Sequence, residues 1–199
     1  MTRLESKDEV SAMTTIVGIS GSLRTGSFNS ALLRAAAAAM PQGVKLEIAT
    51  IKGIPLYDGD VEARGVPDAV AKLKERVVAG DGLLLVTPEY NNSIPGVFKN
   101  AIDWLSRPDT DIARVFGGRP VGVIGASPGR FGTLLSQTAW LPVLKTLGTA
   151  AYFGGRLQVA GAGNVFDESG NLVDERIREQ LGKYLAGFCK FVAATQRAR

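Results

Sequence analysis

Apolar strand-like segments and amphipathic helical segments alternate five times along this chain of 199 residues. Residues 83–86 are apolar without alternation, which is typical of a parallel strand that is covered on both faces. Short connections between such strands and helices predict an α/β fold, a doubly wound five-stranded parallel sheet with helices on both faces. The predicted strands are 15–19, 44–51, 83–86, 120–126 and 151–159, and the predicted helices are 28–40, 66–78, 95–105, 134–147 and a last one that begins near Asp174.

One domain is expected, because no linker, repeat or low-complexity stretch interrupts this alternation. Residues 1–13 carry alternating charges in place of the apolar stretch of a signal peptide, so we expect a disordered tail ahead of a domain that spans 14–199. No apolar run approaches the roughly 18 residues that cross a bilayer. The single cysteine, Cys189, cannot form an internal disulfide. We therefore expect a cytoplasmic protein without a membrane anchor.

The sequence contains no histidine. This excludes Ser-His-Asp and Cys-His catalysis, zinc held by histidine and acid/base chemistry by imidazole, and we predict no metal site. The 23 lysines and arginines are scattered and the net charge is only +4, so no basic stripe indicates a nucleic-acid partner. An anionic small ligand is the simpler explanation of the positive charge.

Three loops follow predicted strands at the carboxyl edge of the sheet, where doubly wound folds bind their ligands. The first loop, 20–29, is rich in hydroxyl groups and glycine and leads into a helix N-terminus, which favours an anion. Ser22, Ser27 and Asn29 can add hydrogen bonds there, and Arg24 can add a positive charge. The loop therefore predicts a phosphate site. The alternative is an ordinary strand–helix turn with a capping serine.

The second loop, 88–95, contains two prolines, a carboxylate, Tyr90 and two amides. A rigid loop of this kind can offer main-chain groups to a flat heteroaromatic ring while Tyr90 packs nearby. The alternative is a stiff connection without a ligand. The third loop, 127–133, could close over the other side of the same ring.

Two segments resemble the NAD(P)H-dependent FMN reductase family, and the nearest branch is the soluble quinone and chromate reductases. They are the sequence Gly-Ser-Leu-Arg-Thr-Gly-Ser-Phe-Asn at 21–29 and the stretch 88–107, which begins Pro-Glu-Tyr-Asn. The resemblance covers about residues 15–193, and the third loop matches less closely. It implies a flavodoxin-like fold with non-covalently bound FMN and with NAD(P)H as electron donor.

The resemblance also implies which residues hold the cofactor. No side chain is assigned as catalytic, because the chemistry takes place on the flavin, with Tyr90 and Asn91 near its ring. The residues implied at the phosphate are Ser22, Arg24, Ser27 and Asn29, and Phe28 is implied as a further cofactor-binding residue. Those implied at the ring are Pro88, Glu89, Tyr90, Asn91, Ser127, Gly129, Arg130 and Phe131.

Members of this family are usually dimers or dimers of dimers, with the region 95–107 at the interface, so the resemblance implies a homodimer or homotetramer. Helix 95–105 has only Lys99 and Asp103 as charged residues, which also predicts more apolar surface than one sheet face needs.

The implied activity is an oxidoreductase that passes hydride from NAD(P)H to FMN and two electrons on to a small oxidant. Quinones, chromate, ferric chelates, azo compounds and free flavin are the oxidants considered. One open flavin face shared by donor and acceptor predicts ping-pong kinetics. The alternatives are a flavodoxin-like electron carrier or flavin-binding interaction protein without its own NAD(P)H turnover, and a phosphate-ligand-binding domain without redox chemistry.

Overall fold

A computed structural model describes residues 13–197, so the tail predicted over 1–13 lies outside the described residues except for Met13. Its centre is a parallel sheet of the strands β1 (Thr14–Ser20), β2 (Val44–Ala49), β3 (Gly82–Val86), β4 (Pro120–Ala126), β5 (Ala150–Ala151) and β6 (Gln158–Val159). Their order in the sheet is β2-β1-β3-β4-β5, and β6 also pairs with β4. This order is that of a flavodoxin-like sheet, and it confirms the predicted fold class.

Helices cover both faces of the sheet, as the alternation predicts. The helices are α1 (Phe28–Ala38), α2 (Gly59–Ala63), α3 (Asp68–Ala79), α4 (Gly96–Leu105), α5 (Ile112–Phe116), α6 (Leu134–Thr146) and α7 (Glu175–Arg197). The short helices α2 and α5 were not predicted from the sequence. In β3, Leu84 and Val86 pack with α1 and α7 on one face, whereas Leu83 and Leu85 pack with α3, α4 and α6 on the other. In the described part of the chain, no helix has the length and apolar character needed to span a membrane.

Three strands end at the same level of the sheet. Ser20 at the end of β1 lies opposite Val86 at the end of β3, and Val86 lies opposite Ile124 near the end of β4. The chain runs from β1 outward to β2 and then crosses to β3 on the other side of β1, so the strand order reverses between β1 and β3. The first, second and third loops therefore emerge side by side at this switch point.

The fifth strand is interrupted, unlike the continuous strand predicted over 151–159. Its two pieces, β5 and β6, pair with opposite ends of β4. Between them the ring of Tyr152 packs at 5.4–5.6 Å from the rings of Tyr184, Phe188 and Phe191. Gly154 folds so closely against Tyr152 that a Cβ there would lie 2.6 Å from the ring. Where the Tyr152 ring packs against α7, the chain leaves the hydrogen-bonded ladder of the sheet, and it rejoins β4 at β6.

Helix α4 buries nearly all of its apolar side chains within the subunit. Phe98, Trp104 and Leu105 are fully buried, and only Val97 is exposed, with 39% of its surface accessible. The surplus of apolar surface that the sequence suggested for this helix is therefore absent. The oligomeric state implied by the resemblance stays a prediction.

Candidate functional site

The three loops enclose one cleft of about 180 Å³ at the carboxyl edge of the sheet, called here the three-loop cleft. Most of the residues that the sequence singled out meet in it, although they come from three separate parts of the chain. Its lining consists of Ser22, Arg24, Ser27, Phe28, Asn29, Pro88, Glu89, Tyr90, Ala126, Ser127 and Pro128.

Ser27 forms the N-cap of α1. Its Oγ accepts the main-chain N–H groups of Asn29 at 3.2 Å and Ser30 at 3.3 Å. A hydroxyl group has two acceptor sites and one donor, so Ser27 is left with its hydrogen to donate. Ser22 accepts the N–H of Arg24 at 3.3 Å and likewise keeps its hydroxyl hydrogen. Both serines can therefore act as donors to an anion.

Arg24 is exposed at the rim of the cleft. Its guanidinium carbon lies 5.5 Å from the centroid of the Phe28 ring, which in turn stacks on Phe166 at 6.0 Å. Within residues 13–197, no carboxylate forms an ion pair with Arg24. The positive charge is thus held beside the two serines and remains available to a ligand.

Asn29 connects the first loop to the third. Its Nδ2 donates to the carbonyl oxygen of Ala126 at 2.8 Å, and its Oδ1 accepts the N–H of Ala126 at 2.9 Å. The side chain is almost completely buried. The sequence led us to expect a phosphate contact from this amide. The two bonds to the main chain of Ala126 fix this side chain in the cleft wall, and the second hydrogen of Nδ2 is left to donate. The phosphate contact of Asn29 stays a prediction.

The second loop is a tight hairpin. Tyr90 and Ser93 exchange two main-chain hydrogen bonds, of 3.2 Å and 3.0 Å. Between them Asn91 and Asn92 have φ values of 50° and 61°, as a type I′ turn requires, and asparagine tolerates this conformation better than most residues. Tyr90 is half exposed at the mouth of the cleft, whereas Asn91 lies at the tip of the turn, outside the lining.

The third loop is fixed to β6 and to the segment that follows it. The N–H of Ser127 donates to Val159 at 2.9 Å, and the carbonyl oxygen of Gly129 accepts the N–H of Gly161 at 3.2 Å. Ser127 lines the cleft, but Gly129, Arg130 and Phe131 lie outside the lining, and 70% of Phe131 is exposed. Sequence analysis did not connect residues 159–162 with the site, because main-chain hydrogen bonds leave no pattern in the side chains.

Two glycines at strand ends allow the elements around the cleft to approach closely. A Cβ on Gly21 would lie 2.1 Å from the ring of Phe98, and one on Gly125 would lie 2.2 Å from both the carbonyl oxygen of Thr87 and Oγ1 of Thr133. Sequence reasoning missed both roles and also the fully buried Thr87. For Thr87 the sequence did hold a signal, because a hydroxyl residue that directly follows an apolar central strand needs a hydrogen-bond partner in the core.

Comparison with known proteins gives a consistent result. The sequence profile of the NADPH-dependent FMN reductase family matches residues 14–163. An NAD(P)H-dependent FMN reductase of Pseudomonas aeruginosa is 45% identical over 170 residues, which are 85% of this chain and 90% of that protein. A 2-hydroxy-1,4-benzoquinone reductase of Burkholderia sp is 38% identical over 177 residues, covering 89% of this chain and 95% of the relative.

Solved structures agree with the fold. FerB, a flavoenzyme NAD(P)H:(acceptor) oxidoreductase from Paracoccus denitrificans, superposes with a TM-score of 0.82 at 30% identity, over 92% of this chain and 98% of its own. An archaeal flavodoxin with a TM-score of 0.59 and 9% identity shares the fold alone. The profile match and the identities to full-length relatives together show that this protein is an oxidoreductase that uses FMN with NAD(P)H as electron donor, and that it belongs to the NADPH-dependent FMN reductase family.

Proposed function

We propose that the protein reduces quinones with electrons from NAD(P)H and that FMN binds in the three-loop cleft. The observation that carries this proposal is the convergence of three loops at the switch point around a set of unused hydrogen-bond donors. The choice of quinones is supported by the Burkholderia relative and by relatives named quinone reductase, including one from Escherichia coli that is 36% identical.

The first loop fits the phosphate group of FMN. A phosphate offers only acceptors, and Ser22 and Ser27 have only donors left, while Arg24 adds a positive charge without a carboxylate partner in the described chain. The N-terminus of α1 adds its positive dipole end. We assign the phosphate to these three side chains, with Phe28 as the support of Arg24.

The ring of FMN is assigned to the mouth of the cleft. About 180 Å³ is less than the several hundred cubic ångströms of a site that encloses a whole ligand of this size, so the cleft suits the phosphate end and leaves the ring to its mouth. Pro88, Tyr90 and Ser127 stand there. Asn91, Gly129, Arg130 and Phe131 lie further out and are proposed as the outer edge of the ring site. Bound FMN supplies hydride acceptance and two-electron transfer, while the protein binds and orients.

We further propose ping-pong kinetics, because a ring at an open mouth gives NAD(P)H and the acceptor the same face. Chromate, ferric chelates, azo compounds and free flavin are small enough to reach such a site and are proposed as additional acceptors.

Cys189 is buried without a disulfide, which fits the cytoplasmic location that we infer.

The test is made with the full-length protein loaded with FMN under anaerobic conditions. NADPH or NADH should bleach the flavin absorbance rapidly, and benzoquinone should restore it. Initial rates against NADPH at several benzoquinone concentrations should give parallel double-reciprocal lines. A flavin that NAD(P)H does not bleach would favour the electron carrier, and lines that converge would show that both substrates bind together. A protein that does not bind FMN would contradict the assignment of the cleft.

A further inference from the structure

We infer that Glu89 is a positioning residue, which fixes the second loop to the first turn of α6 and so sets the geometry between the second and third loops. The contact itself is independent of any ligand. Its importance for FMN rests on the proposed function. The family resemblance implied that Glu89 lines the flavin ring; the structure places Glu89 in the lining of the cleft and gives its carboxylate two main-chain partners in α6.

One carboxylate oxygen of Glu89 accepts two main-chain N–H groups from α6. Oε2 lies 2.8 Å from the nitrogen of Leu135 and 3.0 Å from that of Ser136. The first N–H groups of a helix have no partner inside it, and Thr133 at the N-cap of α6 makes no capping bond with its side chain. Glu89 therefore caps α6 from a loop 46 residues away, with its negative charge at the positive end of the helix dipole.

A second, buried contact lies beneath the first. Oγ1 of Thr87 is 2.8 Å from Oγ of Ser136 and accepts the indole N–H of Trp140 at 3.2 Å. All three side chains are fully buried. Beside it, the absence of a side chain at Gly125 lets β4 approach the carbonyl oxygen of Thr87 and the side chain of Thr133. Thr87 thus fixes the start of the second loop in the core. Glu89, two residues further on, fixes the loop where it lines the cleft.

The position of α6 in the chain makes this contact relevant to the site. The third loop ends at Thr133, and α6 begins at Leu134, so the turn that Glu89 caps is the direct continuation of the third loop. Tyr90 follows Glu89 directly and stands at the mouth of the cleft. Loss of the Glu89 contact would therefore free two walls of the cleft to move relative to each other.

The first test uses hydrogen exchange on the full-length protein, both with FMN and after its removal. Glu89→Ala should speed exchange at Leu135 and Ser136 and across residues 88–95 in both states. Glu89→Gln should show a much smaller change, because an amide oxygen can accept the same two N–H groups. The matched control is Asp174→Ala, which removes a capping bond of 2.9 Å to the N–H of Ile177 at the start of α7, away from the cleft. It should leave exchange in both segments unchanged.

The second test is the affinity for FMN. Glu89→Ala should weaken binding by at least about tenfold, since hydrogen bonds to a charged group that order the loop are lost. Glu89→Gln should stay within about threefold of the parent, since both N–H bonds can be kept. Asp174→Ala should lower the melting temperature without changing the affinity, which separates positioning from stability.

The proposal is overturned if Glu89→Ala leaves exchange unchanged in the protein without FMN, or if exchange rises while the affinity for FMN does not change. It is also overturned if Glu89→Gln has normal exchange but loses FMN as Glu89→Ala does, because the carboxylate would then bind the ligand directly. If the parent itself does not bind FMN, the proposed function fails, and the exchange experiment still decides whether Glu89 holds the loop to α6.

Discussion

Arg24 carries the positive charge of the phosphate site that we assign. Its guanidinium packs over the ring of Phe28 and forms no ion pair with a carboxylate of the described residues. This arrangement keeps the guanidinium near the two serine hydroxyls without neutralising it. The aromatic face adds a modest stabilisation, because an exposed cation–π contact contributes about 0.5–1 kcal/mol.

We expect Arg24→Ala to weaken FMN binding about tenfold or more, because a hydrogen bond to a charged group contributes about 1.5–3 kcal/mol. Arg24→Lys should recover only part of the affinity, since lysine cannot form the two parallel hydrogen bonds of a guanidinium. Fluorescence titration of FMN measures both effects. Arg64→Ala, at the exposed end of α2, is the control and should bind FMN like the parent. Unchanged affinity in Arg24→Ala would contradict the phosphate assignment.

Individual residues also show where sequence reasoning ends. The hydroxyl-rich pattern of the first loop singled out Ser22, Ser27 and Asn29, and the structure brings all three into the three-loop cleft; their contact with a phosphate stays a prediction. The pattern gave no sign that Asn29 also bonds to the main chain of Ala126, 97 residues away. Glu89 is a similar case. A side chain that bonds to distant backbone gives no sign of its partner in the sequence.

At the scale of elements, α3 is joined to the segment ahead of α5 by a buried ion pair. Nζ of Lys74 lies 2.7 Å from Oδ2 of Asp111 and also donates to the carbonyl oxygen of Arg107. Lys74 is 3% exposed, so its charge depends on these partners. The hydrogen bond and charge of Lys74 hold the pKa of Asp111 below its usual value of 3.8.

We expect Asp111→Ala to reduce the free energy of unfolding at pH 7 by about 3 kcal/mol, at the lower end for a broken buried pair because Asp111 is partly exposed. Since the pKa of Asp111 is lowered on folding, its contribution is complete above pH 3.8 and is lost as the pH falls through the folded-state pKa. The difference between variant and parent should therefore shrink in acid. Thermal unfolding at pH 7 and pH 3 measures it, with the exposed Asp109→Ala as control. A difference that does not depend on pH would contradict this account.

Elements also differ in how well the sequence predicts them. The central strands were predicted within one or two residues, because strands buried on both faces are apolar throughout. The fifth strand was predicted as continuous, since Tyr152 also suits a strand. Only the packing of its ring against α7 shows why the strand is interrupted.

At the scale of the whole molecule, the sequence offers no imidazole that could titrate near neutral pH. The sequence has no histidine. Among residues 13–197, the resolved pKa shifts move groups away from neutrality: ion pairs and hydrogen bonds lower the pKa of Glu47, Glu75, Asp111, Asp167 and Glu179, and burial raises that of Cys189.

We therefore expect the rate at saturating substrate to change by less than about twofold between pH 6 and pH 8, because the ordinary pKa values of the remaining side chains lie outside this range. Turnover of FMN-loaded protein with NADPH and benzoquinone across this range tests the prediction. A bell-shaped profile with an inflection near pH 7 would show that a strongly shifted side chain takes part in the reaction.

The oligomeric state is the other prediction for the whole molecule. We expect a dimer or tetramer at micromolar concentration, as the family resemblance implies. Because α4 buries its apolar residues within the subunit, contacts between copies would need other apolar surface, such as the exposed Leu134, Leu135 and Leu141 of α6. Light scattering measures the mass, and a monomer would contradict the prediction.

The interrupted fifth strand has a consequence for behaviour at high concentration. An exposed, continuous edge strand offers unpaired main-chain groups to a neighbouring molecule and promotes aggregation. Here one edge of the sheet consists of two strands of two residues each, separated by a segment that leaves the ladder. The opposite edge, β2, carries Lys45 and Glu47, which are paired at 2.7 Å. Neither edge gives a second molecule a long apolar strand to pair with, so the fold resists the growth of sheets between copies.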